Sequence, residues 1–273
     1  MRSPHEMIAP TPHIVENMTA HCAMEVQVTK SLCSRHDILR QHVSIDPEYQ
    51  KRRWVAHLDL LGASSLVERQ SWEMVFSVYA RAIERFRADA FDETRLSRIT
   101  FSDSFLIYTD DDSALSYRAI DSFCRHFVRR LVLASVPLRG AIACGDFYAD
   151  EASSLYFGDA LLESHGIGES TDWIGLVLCD STRARLSEVS LPVENLLNYA
   201  LWPVPVKRRR GCDATSRELA AYIIGASPTP ENVEPVCESL RAMREKVTEP
   251  VVQAKYENSL EFLGANVRRI TSP

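Results

Sequence analysis

The sequence predicts an α/β fold built on one sheet, and three observations carry that prediction. Short apolar runs recur at residues 53–61, 97–109, 136–148 and 172–179. Stretches with apolar residues at helical spacing lie between them. A tight turn at Ser102-Asp103 joins two of the runs into a hairpin.

The elements follow in order. Residues 1–45 carry little pattern: 1–20 are polar and rich in His, Pro and Thr, and 21–45 have weak helical character. Residues 53–61 predict a strand apolar on both faces. Ser65-x-x-Glu68 is a capping box, and Trp72, Phe76, Tyr79, Ile83 and Phe86 continue as one helical stripe. In 97–109 the residues Ile99, Phe101, Asp103, Phe105 and Ile107 share one parity. A second helix, 114–134, places Leu115, Ile120, Phe123, Phe127 and Leu131 on one face. "VPLRGAIACGDFY" is a strand with a return strand at 153–157, "FGDALLESHGIGES" opens a third helix, and "DWIGLVLC" is another strand. The order from 53 to 179 is β-α-β-β-α-β-β-α-β, a ferredoxin-like core with a helical layer on one face. After Leu191, "NYALWPVPVKRRRGCD" reads as a strand and a basic turn, and 214–267 read as helical throughout. The expected division is an N-terminal extension 1–45, a catalytic domain 46–190, and a strand, basic turn and helical appendage 191–273.

Bulk properties narrow the function. With 273 residues, 45% of them apolar, the chain can bury one large core. A net charge of −6 argues against a broad nucleic-acid-binding surface. Seven cysteines without a C-x-x-C pair argue against a disulfide framework and suit a reducing cytoplasm. There is no apolar run long enough for a membrane span and no signal-peptide pattern, so a soluble cytoplasmic protein is expected.

Asp59 lies between Leu58 and Leu60 in an apolar strand, where a lone charge costs several kcal/mol unless neutralised. Asp103 sits at the turn of the following hairpin. In a β-α-β-β unit the first strand runs beside that hairpin, so both carboxylates can converge at one sheet edge. Two oxygen ligands on rigid backbone suit Mg²⁺ or Mn²⁺, and two such ions serve an in-line phosphoryl displacement. The plainer alternative is that each aspartate only shapes a turn.

The chain resembles the class III nucleotidyl cyclases over residues 53–180. "AHLDLLG" stands at their apolar-Asp-apolar-x-Gly motif, "ITFSDSFLI" at their hairpin, "LRGAIACG" at their Arg-x-x-Ile-x-x-Gly strand, and "YFGDALLESHG" at their third-helix entry. The resemblance implies that Asp59, Asp103 and the Leu60 carbonyl hold two Mg²⁺ or Mn²⁺ ions. It implies that Arg139 holds triphosphate oxygens, a task its planar fork suits; an ordinary exposed strand arginine is the alternative. It further implies an antiparallel homodimer with composite sites at the interface.

Departures sharpen it. Ile99 and Leu155 stand where purine cyclases place polar base readers, so a purine edge would lose hydrogen bonds worth about 1–3 kcal/mol each. Leu162 and Gly166 replace the Asn and Arg that stabilise the transition state; Arg52, Arg53, Arg98 and the run Lys207–Arg210 are candidate substitutes. With "KRRWVAHLDLLG", "FGDALLES", "DWIGLVL" and "KYENSLEFL", the chain is similar to the bacterial pyrimidine cyclases of the Pycsar antiphage defence systems. That implies conversion of UTP to 3′,5′-cyclic UMP and pyrophosphate, CTP being the alternative, with the product acting on a separate effector. Tyr49 could stack on the base or merely anchor the surface; Lys207 could hold a phosphate or belong to a solvated loop. Arg53 is expected at the substrate, and His57 and His165 read as packing groups rather than ligands. A catalytically silent nucleotide-binding protein is the rival from another class.

Overall fold

The structure, a computed structural model, describes residues 50–62, 95–207 and 215–270, with the single positions Glu73, Ser77, Ala80, Arg81 and Glu84 between the first two stretches. The N-terminal extension, Tyr49, Ser65-x-x-Glu68, the stripe from Trp72 to Phe86 and residues 208–210 lie outside the described residues.

Strand β1, Gln50–Leu60, starts before the apolar run because β4, Leu138–Asp150, offers partners along its whole length: Gln50 pairs with Tyr148 and Leu60 with Leu138. The five single positions between β1 and β2 are all helical. β2 (Leu96–Phe101) and β3 (Ser104–Thr109) form the predicted hairpin, with Ser102 left-handed at φ 53° in its two-residue loop. α1 (Ala114–Leu133) is capped by Ser113, whose hydroxyl accepts from the Ser116 amide. The sheet order β2-β3-β1-β4, with β1 antiparallel to both neighbours, is the ferredoxin-like arrangement expected.

The chain continues through β5 (Leu155–Phe157), α2 (Asp159–Ser170), β6 (Gly175–Leu178), α3 (Asp180–Glu188), a 3₁₀ turn (Val193–Asn195), β7 (Tyr199–Pro205), β8 (Ser216–Tyr222), α4 (Pro230–Arg244) and α5 (Pro250–Ile270). β6 runs parallel to β4, and β8 and β7 extend the same sheet beyond it.

Three expectations are corrected. "SRELAAYIIG" is not helical: Ser216–Tyr222 is β8, because Leu219 to Ile224 form a continuous buried run that pairs with β7 on one side and β6 on the other. Leu115 is 57% exposed. Five residues before Ile120, it is rotated about 140° away, and Tyr117, Cys124 and Val128 complete the buried face instead. Helices also cover both faces of the sheet rather than one. On β1, Trp54 meets Tyr117 of α1 whereas His57 meets His165 of α2, and residues of opposite parity face opposite ways.

On the α1 face Phe105, Phe123 and Phe127 stack into the core. α4 docks on α1 through the Ser239 hydroxyl, which donates to the Val132 carbonyl at 2.6 Å. On the other face α2 lies close to β4 because both carry glycine: a Cβ at Gly168 would sit 3.3 Å from Gly140 Cα, and one at Gly140 only 2.4 Å from the His57 carbonyl oxygen. α5 closes this end, with Phe262 edge-on to Trp173 and Trp202 at 5.3 and 5.5 Å.

Candidate active site

Register builds the site. Asp59 faces Ser104 on β3 and Arg139 on β4, so three polar residues lie abreast on one face. Ser104 Oγ donates to Asp59 Oδ1 at 3.3 Å, and Arg139 Nη2 reaches Asp59 Oδ2 at 3.4 Å. The Leu60 amide donates to the Asp103 carbonyl at 3.0 Å, which ties the hairpin turn to the end of β1.

Burial pushes the Asp59 carboxyl above its ordinary range; Arg139 counters this and the Asp103 charge adds to it. The two carboxylates therefore feel each other, and a cation between them would offset the repulsion. Among the described residues no group of three or more His, Cys, Asp and Glu converges. Two carboxylates and main-chain oxygen are what the protein offers, which fits Mg²⁺ or Mn²⁺ completing its shell with water and phosphate oxygens. Arg139 is 7% exposed. Its Nη1 donates to the Glu169 carbonyl at 2.9 Å and the Thr171 carbonyl at 3.4 Å, while its buried Nε has no partner.

His57, two residues from Asp59, packs edge-on against His165 at 4.7 Å. Burial, then His165 and Arg139, lower its pKa to about 4, so it is neutral at pH 7. His165 in turn lies 3.7 Å from Glu169.

Residues 169–172, at the end of α2, form a junction. Besides Arg139, the Lys207 amide donates to the Ser170 carbonyl at 2.8 Å and Asn258 Nδ2 donates to the Asp172 carbonyl at 2.8 Å. The ammonium of Lys207 is held below its usual range by burial and by Arg139 and Lys255. That of Lys255, on α5, is lowered by burial; Asp172 opposes this, Arg139 adds to it, and Asp59 opposes it. Arg139, Lys207 and Lys255 thus stand within electrostatic reach of one another.

The structure brings Asp59, Leu60, Asp103 and Arg139 together at the end of β1, and it places Lys207 at the 169–172 junction that Arg139 also reaches. It does not bring Arg53 there. Arg53 lies six residues up β1, about 20 Å along the strand, where it stacks on Tyr108 at 5.4 Å and donates to the Thr109 carbonyl. Ile99 packs against the core, whereas Leu155 and Leu162 are 49% and 70% exposed, and Gly166 has open space where a side chain would be. Lys255 was not singled out from sequence, although Lys255 and Asn258, three apart in "KYENSLEFL", share a helix face.

No protein-family model matches the sequence, and no curated protein matches it. Solved structures similar to it include the catalytic core of a rhodopsin-guanylyl cyclase with converted specificity in complex with ATPalphaS (12% identity, 63% of this chain and 96% of that chain, TM-score 0.48). The adenylyl cyclase CyaB from P. aeruginosa is similar at 12% identity over 63% and 93% of the two chains, TM-score 0.41. A bacterial light-regulated adenylyl cyclase is similar at 9% identity over 71% and 98%, TM-score 0.46. At these values the likeness passes no activity to this chain. Among the described residues no helix is long and apolar enough to cross a membrane.

Proposed function

We propose that this protein is a nucleotidyl cyclase of the class III type that converts UTP to 3′,5′-cyclic UMP and pyrophosphate, with CTP as the alternative substrate. The observation that supports the reading is Asp59 at the end of β1, paired with Arg139, with the Asp103 turn tied beside it through the Leu60 amide. Asp59, Asp103 and the Leu60 carbonyl would hold two divalent ions. Bound there, Mg²⁺ or Mn²⁺ supplies a lowered pKa for the ribose 3′-hydroxyl and charge neutralisation for the departing pyrophosphate. Arg139 and Lys207 bind and orient the triphosphate, so most of the catalysis is positioning and electrostatic stabilisation.

Ile99 and Leu155 offer a purine edge no hydrogen bond, which favours the smaller pyrimidines. The apolar side chains Leu155, Phe157 and Leu162 are exposed, which supports a homodimer with sites at its interface. The cyclic product would act on a separate effector in antiphage defence. The replacements Leu162 and Gly166 favour a second reading, a silent nucleotide-binding member.

The test is incubation of the pure protein with each of the four NTPs and Mn²⁺. Cyclic UMP as the main product is expected. Cyclic CMP selects the alternative substrate, cyclic AMP or cyclic GMP overturns the pyrimidine reading, and no product from any NTP overturns the enzyme.

A further inference from the structure

We infer that Lys255, from α5, is a phosphate-binding residue that completes a three-cation cradle with Arg139 and Lys207, so that the C-terminal helix is part of the active site. The inference rests on the proposed function and extends it to a residue outside the cyclase core.

Three separate elements meet at residues 169–172. Arg139 of β4 donates to two of these main-chain carbonyls, the Lys207 amide beyond β7 to a third, and Asn258 of α5 to the fourth. The next residue of α5, Ser259, fixes the helix further: its hydroxyl accepts from the Ile174 amide at 2.8 Å. Lys255 stands one turn before Asn258 on the same side of α5, so this docking carries its stem toward Arg139.

Lys255 is half-buried. Among the described residues neither lysine ammonium has a carboxylate at ion-pair distance, although Asp172 and Glu169 lie in the neighbourhood. Arg139 is buried and pairs with Asp59, Lys255 is half-buried and Lys207 is exposed; the two lysine charges add to that of Arg139 and favour an anion there. The buried, unpartnered Nε of Arg139 adds a spare donor to the same place. Two carboxylates for metal ions on one side and three cations on the other form the complement of a metal-bound polyphosphate. The chemistry that fits the cations is a pyrophosphate or the β- and γ-phosphates of a nucleotide.

The probe is inorganic pyrophosphate with Mg²⁺, followed by calorimetry on the full chain. Lys255→Met keeps the apolar stem and removes the charge; about tenfold weaker binding is expected, with partial recovery in Lys255→Arg. The melting temperature without ligand should stay equal or rise, because one of three repelling cations is gone; a residue needed only for packing would lower it. Unchanged pyrophosphate affinity in Lys255→Met overturns the inference. A measurement on the unaltered protein is independent of variant folding: pyrophosphate should slow acetylation of the Lys255 amine several-fold, read by mass spectrometry. Equal labelling with and without pyrophosphate overturns it too. Failure of the four-NTP assay alongside intact pyrophosphate protection would sink the proposed reaction and leave this site standing.

Discussion

Asp59 is a charged group set in a largely apolar strand. Burial raises its pKa while Ser104 and Arg139 hold it in place. Asp59→Asn keeps the acceptor and removes the charge, so the proposed cyclase activity should fall by about a thousandfold or more. The melting temperature at pH 7 should be equal or higher, since the ionised form is the disfavoured one in the fold. Parallel activity and melting measurements check this; a large drop in stability would make Asp59 a structural residue. His57 gives a pH signature. Its folded pKa, about 4, lies below the unfolded value of 6.5, so the unfolded chain binds the proton first as pH falls. With a chelator present, stability should decline between about pH 6.5 and 4, by up to about 3 kcal/mol, and His57→Gln should flatten that decline. At this scale the sequence drew attention to Asp59, because a carboxylate among leucines is a local anomaly. It did not show Lys255, whose neighbours in space come from β4 and the end of β7. It misplaced Arg53 because strand residues six apart share a face without sharing a site.

Elements were legible where periodicity was unambiguous. The β2-β3 turn at Ser102-Asp103 and the span of α1 agree with the sequence to within a residue or two. β8 was misread because a six-residue apolar run does not distinguish a buried strand from a buried helix; only its pairing with β6 and β7 decides. α5 relies on one side chain in place of a strand partner. Ser259 Oγ accepts from the Ile174 amide and donates to the Ile174 carbonyl, a proton it shares with the Lys255 carbonyl. Ser259→Ala should therefore cost about 1–3 kcal/mol in chemical denaturation, since a buried amide loses its partner. Gly140→Ala should cost at least as much, because its Cβ would meet the His57 carbonyl at 2.4 Å and neither backbone can yield. Activity should fall with it, because the shift moves Arg139 off Asp59.

Across the whole molecule, α1 holds the two halves of the sheet together. Asp121 on α1 is buried, accepts from the Tyr199 hydroxyl of β7 at 2.6 Å, and pairs with Arg125 at 2.9 Å. Tyr199 sits on the strand at the far end of the sheet from β2. Tyr199→Phe leaves the buried carboxylate one bond short and should cost about 1–3 kcal/mol, with β7 and β8 losing hydrogen-exchange protection before β1 and β3. The ferredoxin-like order was readable from the pattern of residues 53–179. The addition of β7 and β8 to that sheet was not, because joining them to β6 depends on contacts between segments that look unrelated in sequence.

Arg139, Lys207 and Asn258 all reach the junction at residues 169–172 through its main-chain oxygens. Every amino acid supplies the same carbonyl, so these four contacts do not depend on which side chains stand at 169–172. A centre assembled in this way is specified by backbone shape rather than by the identity of the side chains that carry it.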